Sequence, residues 1–170
     1  MKFQDLYNEM TQSTEIIRAM LNGISQSDAQ IKKSPRVWSI LEVTCHLYDE
    51  EREDFRKRLQ FILGDQEGTW PPITPFQWVI TRKYNEQNLN KMKTKFFKER
   101  ETSLIWLKTL KNTDWTIRYE YKRGMYRSAG EIFSSWVAHD NLHIRQLTEL
   151  RRRSIEQKTK PYKIGYAGDW

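Results

Sequence analysis

His46, His139 and His143 are the three histidines in this chain of 170 residues, and their spacing is the first thing in it that could do chemistry. His139 and His143 lie four positions apart in WVAHDNLHIRQL, residues 136–147, a stretch that otherwise reads as an amphipathic helix. Ile132, Trp136, His139, His143, Leu147 and Leu150 advance in steps of three and four, so they share one helical face. Both imidazoles are therefore directed along the seam that meets the rest of the fold. At this spacing Cβ atoms stand about 6 Å apart, close enough for two rings to grip one divalent ion. The bland alternative is a pair of core histidines satisfied by other polar groups. An isolated H-x-x-x-H is a weak motif, although two unpartnered imidazoles in an apolar seam would be costly.

His46 is less clearly placed. Glu42, His46, Asp49 and Glu53 form a polar stripe beside Val43 and Leu47 and away from Leu41 and Phe55, which puts His46 at the margin of the core. One reading is a rim histidine paired with Glu42. The other is a third metal ligand, with Glu42 as the acceptor that fixes its tautomer, or as a base. Spacing alone leaves both open. Asp49 admits the same choice between a base and a solvated acid. Asp140 and Asn141 flank the histidine pair but belong to other faces, where solvent or helix contacts are expected. Cys45 is rotated about 100° from His46 on a helix and reads as packing rather than as a nucleophile. Arg123, Arg127 and Arg145 could meet an anionic cofactor but carry nothing that separates them from surface arginines. Trp136 and Trp170 are candidate pocket walls; most of the seven tryptophans read as core.

Four helices must position these residues. Phe3, Leu6, Tyr7, Met10, Ile17, Leu21 and Ile24 give the stripe of a first helix that ends near Gly23–Ser25. Ser39-Ile40-Leu41-Glu42 is a capping box that opens a second, from about Ser39 to Leu63, with Leu41, Tyr48, Phe55, Leu59 and Ile62 as its apolar stripe. Gly64 and Gly68 end it, and Pro71, Pro72 and Pro75 keep the following segment irregular. Helix resumes by about Tyr84 and runs to about Lys111, with Leu89, Met92, Phe96, Ser103, Trp106 and Leu110 on one face. The connection from Gly64 to Lys83 is long for antiparallel neighbours and suits a crossover that lets helices two and three run parallel. TIRYEYKRGMYR, residues 116–127, alternates like a small hairpin. Ser128-Ala129-Gly130-Glu131 is a second capping box and opens the fourth helix. The tail, PYKIGYAGDW, is expected to fold back over the bundle. The fold class is all-α: one four-helix-bundle domain over 1–170, with a long crossover and a short hairpin between helices three and four.

Composition narrows the function classes. No run of about 18 apolar residues is present, which argues against a spanning helix, and MKFQDLYNEM lacks the apolar region of a secretory signal. A single cysteine excludes an internal disulfide and suits a reducing compartment, so a cytoplasmic location is expected. The net charge of +7 invites a nucleic-acid reading, yet 29 basic residues are interspersed with 22 acidic ones. KMKTKFFK, residues 91–98, reads as a solvated helix face, and Arg151-Arg152-Arg153 as positive charge at a helix C-terminus. Without a reading motif or an aromatic-lined basic groove, charge alone does not make a nucleic-acid site.

VWSILEVTCHLYDEE, residues 37–51, and SAGEIFSSWVAHDNLHIRQL, residues 128–147, resemble the second- and fourth-helix signatures of the DinB-like family, also called the YfiT-like metal-dependent hydrolase superfamily. The closing YAGDW is similar to the end of some members. The resemblance implies a bundle with a long crossover and a divalent metal held by one histidine from helix two and two from helix four: by position, His46, His139 and His143. Three nitrogen ligands with an open position are the pattern of a catalytic site; a structural site would be closed. Family members include thiol-dependent transferases and isomerases as well as hydrolases. The expectation is thus a metal-dependent enzyme with zinc or nickel and a small-molecule substrate. Its reaction would be transfer of a low-molecular-weight thiol to electrophiles, or hydrolysis. A non-catalytic metal-binding scaffold or stress-related interaction protein is the alternative, and a homodimer is expected on base rates.

Overall fold

A computed structural model of the chain describes residues 2–64 and 69–168. Four long helical segments form the bundle: α1 (Phe3–Leu21), α3 (Ile40–Glu50) continued by α4 (Arg56–Ile62), α6 (Leu89–Thr109) and α7 (Ala129–Lys158). Short helices α2 (Gln26–Ala29) and α5 (Pro75–Thr81) lie in the connections. Strands β1 (Arg118–Lys122) and β2 (Met125–Ser128) pair antiparallel as the hairpin before α7. Both expected capping boxes form. Ser39 and Ser128 each accept the backbone N–H three residues on, while Glu42 and Glu131 accept the N–H of the cap residue.

Cross-helix contacts give the direction of each segment. Lys95 lies over the Tyr48 ring, Arg100 pairs with Glu51, and Arg56 donates to Ser103 Oγ. Partners thus advance together along α3–α4 and α6, so these two run parallel, as the long connection predicts. Phe3 packs on Phe133 and Arg151 reaches the Met20 carbonyl, so α1 and α7 are also parallel. The two pairs oppose each other: Tyr7 meets Lys108 whereas Leu21 meets Lys93.

α3 and α4 are one helix interrupted by a π-helical turn, Glu51–Phe55. The extra residue in such a turn shifts the faces that follow it, and period counting does not anticipate it. Nearly every residue of α3 is buried, so its polar stripe is as enclosed as its apolar one. Asp49, expected to be solvated, is buried and accepts from Tyr84 Oη at 2.5 Å and from Arg82 at 2.7 Å. Gly64 follows α4 with φ +83°, a left-handed conformation open to glycine at little cost. Gly68 lies outside the described residues.

Four further expectations are corrected. The crossover is not wholly irregular: Pro75 opens α5 at the helix start, where its missing N–H costs nothing. On α6 the buried face carries Arg100 and Leu107, with Trp106 turned partly out. Arg151–Arg153 lie inside α7, which continues to Lys158. The described tail does not cover the bundle, since Tyr162 and Tyr166 are exposed; Trp170 lies outside the described residues. Among the described residues, no helix is long and apolar enough to cross a membrane.

Candidate metal centre

His46 from α3 and His139 and His143 from α7 meet inside the bundle, with one ring nitrogen from each within 4.8 Å of the other two. His139 Nε2 lies 3.3 Å from His46 Nε2 and 3.0 Å from His143 Nε2. His46 is only 5% exposed, which excludes a place at the rim. Trp38 packs edge-on to His46 at 4.8 Å between centroids, and Phe55 lies 5.0 Å from His139. These aromatic neighbours keep water from the flanks of the cluster.

Burial, and then the neighbouring rings, push His46 down to about 2. Burial, then His143 and Arg100, push His139 down to about 3. Burial also lowers His143, against the opposing pull of Gln146 and Asp140. All three are therefore neutral at pH 7, and each carries one N–H. Gln146 Oε1 lies 2.8 Å from His143 Nδ1, which places that proton on Nδ1 and leaves the Nε2 lone pair facing inward. His46 Nδ1 has no hydrogen-bond partner among the described residues; Glu50 Oε1, likewise unpartnered, lies 3.7 Å away. A proton on Nδ1 directed at Glu50 leaves a second lone pair facing inward. With the His139 proton on Nδ1, the three Nε2 atoms would offer their lone pairs to one point, and this donor set fits a divalent metal.

Glu42 does not take the place beside His46. Its Oε2 accepts from Ser39 N at 2.8 Å and its Oε1 from Lys32 Nζ at 2.6 Å, so the cap and an ion pair occupy both oxygens. Glu50, one turn on the other side of His46, stands there instead. Burial, then the adjacent Asp54, pushes its carboxyl up to about 9. Cys45 is fully buried, its thiol directed at the Tyr84 carbonyl.

Asp140 is likewise not solvated. It is fully buried and forms a two-pronged pair with Arg100, Nη1 to Oδ2 at 2.6 Å and Nη2 to Oδ1 at 2.8 Å. Arg100 also meets Glu51 at 2.8 Å and Thr14 Oγ1 at 3.2 Å. Glu51 in turn accepts from Trp136 Nε1 at 3.1 Å. This buried network ties α1, the π-helical turn, α6 and α7 together one residue from His139. It escaped the sequence reading because Arg100 follows a run of lysines that reads as solvated.

A cleft of about 500 Å³ reaches His143 between Trp38, Phe76 and α7. A wider groove of about 1220 Å³ between α1 and α6 includes none of the histidines in its lining.

The model of the DinB superfamily matches residues 9–147, more than three-quarters of the chain. No curated protein matches it. Among solved structures, the chain is similar to YfiT from Bacillus subtilis, described as a probable metal-dependent hydrolase with an unusual four-helix bundle topology. The match covers 89% of this chain and 86% of that one, with a TM-score of 0.75 and 14% identity. At that identity the likeness is one of fold. The extent of the family match carries the assignment: this chain belongs to the DinB superfamily.

Proposed function

We propose that His46, His139 and His143 hold a divalent metal and that the protein is a metal-dependent enzyme acting on a small molecule. The observation that supports this is the convergence of three imidazole nitrogens, with the opposite ring nitrogen of His143 bonded to Gln146. When bound, such a metal lowers the pKa of a coordinated water or thiol and polarises an electrophile. The chain's own residues do the rest. Gln146 orients the ring of His143 through its bond to Nδ1. Trp38 and Phe55 exclude water from the flanks. The Arg100 pair with Asp140 fixes the rotation of α7 that points His139 and His143 at α3.

Three protein ligands leave positions for water or substrate, which favours an enzyme over a closed structural site. The reaction we propose is transfer of a low-molecular-weight thiol to an electrophile, with hydrolysis as the second reading; the YfiT fold supports the latter. Zinc is the expected metal and nickel the next, since imidazole suits both. Elemental analysis of gently purified protein tests the site: wild type should carry about one equivalent, and His46→Ala, His139→Ala and His143→Ala should each lose it. Metal retained by all three variants would overturn the assignment. Metal-loaded protein should then accelerate conjugation of a cellular thiol to a model electrophile, or hydrolysis of an ester or amide panel. Inactivity towards both would return the fold to a metal-binding scaffold.

A further inference from the structure

The cleft that reaches His143 has a chemistry of its own. Along one wall, Phe76 of α5 is 80% exposed and lies 6.0 Å from Trp38, which in turn contacts His46. The apolar surface therefore runs unbroken from solvent to the histidine cluster, with exposed Leu142 on the α7 side. An exposed phenylalanine at a cleft mouth is solvated at a cost that an apolar ligand recovers on binding.

The rim is basic. Arg36, Arg145 and Arg153 line the cleft together with a single acid, Glu149. Arg153 is paired with Glu149 one turn away, so those two charges offset each other. Arg36 and Arg145 are both exposed and form no ion pair among the described residues. The cleft thus presents two uncompensated guanidinium groups above an aromatic wall, and a volume of about 500 Å³ that suits a small organic ligand. Guanidinium is the side chain that recognises carboxylates through two parallel hydrogen bonds.

We infer that this cleft selects an organic carboxylate with a flat apolar body. Arg36 and Arg145 hold the carboxylate at the rim, and the body lies along Phe76 and Trp38 with its far end at the histidines. The inference deepens the proposed function and rests on it for the role of the inner end, but the anion selectivity belongs to the rim alone.

The test uses two probes of one shape, 2-naphthoate and 2-naphthamide, titrated by calorimetry into metal-loaded and chelator-treated full-length protein. Wild type should bind the carboxylate more tightly than the amide. In Arg36→Ala/Arg145→Ala the carboxylate should weaken about tenfold while the amide changes less than about twofold. Phe76→Ala should weaken both. Equal binding of the two probes by wild type, or a double variant that binds naphthoate as wild type does, would sink the inference. Chelator-treated protein separates the two readings. If naphthoate still binds without metal and remains dependent on the arginines, while no histidine variant alters metal content, the metal assignment fails and the cleft stands. If metal depends on the histidines but naphthoate does not depend on the arginines, the reverse holds.

Discussion

At the residue scale the site is a problem of protons. To hold the proposed metal, each imidazole must offer a lone pair to the centre, so its other nitrogen must keep the hydrogen. Gln146 does this for His143 at 2.8 Å, and residues in that position typically matter 10–100-fold for metal affinity. Gln146→Leu should therefore weaken metal binding by about 10–100-fold, read by competition with a chromogenic chelator. Glu42→Ala is the matched control. Because both Glu42 oxygens serve the cap and Lys32, its loss should cost about 0.5–2 kcal/mol of stability in urea and leave metal affinity unchanged. The opposite result would return Glu42 to the role first considered for it. Cys45 gives a second check: burial, then nearby Asp49 and Glu42, pushes its thiol up to about 12. Iodoacetamide at pH 8 should label it only after denaturation. The pairing of His139 and His143 was legible because four residues on a helix fix a common face. His46 was not legible from its period, since α3 is enclosed on all sides and a stripe distinguishes core from rim only where a rim exists. Glu42 and Glu50 are both one turn from His46, and only the capping geometry tells them apart.

At the scale of elements, the caps and the long crossover were readable because they are local chemistry and chain length. The π-helical turn and the Arg100 network were not, since the first leaves no compositional mark and the second joins residues up to 86 positions apart. Arg100 answers two carboxylates in the core. Removing it strands them, at a cost of about 3–5 kcal/mol. Arg100→Met should thus lower the urea midpoint sharply, whereas replacing Glu51, Arg100 and Asp140 together with apolar residues of like volume should recover most of the loss. Failure of the triple variant to recover would mean that the network does more than balance charge. The crossover is held in a pH-sensitive way. Arg82 reaches Glu53 at 2.9 Å and Asp49 at 2.7 Å. Although burial raises the Glu53 carboxyl, Arg82 and Arg52 outweigh it and hold Glu53 below its ordinary value of 4.5. A carboxyl depressed in the folded state contributes stability above its unfolded pKa and loses it as pH falls through the folded one. The protection factors of the α5 amides, corrected for intrinsic exchange, should therefore fall below about pH 4.5, and Arg82→Ala should lower them at pH 7.

At the scale of the whole molecule, a polar layer divides the core in two. One apolar cluster gathers around Ile17, Leu41, Phe96 and Leu147, the other around Met10, Leu59, Leu107 and Phe133. Between them run Thr14, Glu51, Arg100 and Asp140, with the histidines beside them. Such a bundle is closed by two hydrophobic halves and an internal ion network before any metal binds, which separates it from small domains that fold only around their metal. Metal should then add stability without creating the fold. A ligand present at 100 times its dissociation constant contributes about 2.7 kcal/mol, and in a chain of this size each kcal/mol moves the thermal midpoint by about 2–4 °C. Chelation should accordingly lower the midpoint by about 5–11 °C, reversibly, with far-UV circular dichroism at 25 °C unchanged. His46→Ala should remove the dependence on metal, because on the proposed ligand set it would leave the metal only the two histidines of α7. Loss of helicity on chelation would instead make the metal a structural clamp, and with it the open coordination positions on which an enzymatic role depends would lose their rationale.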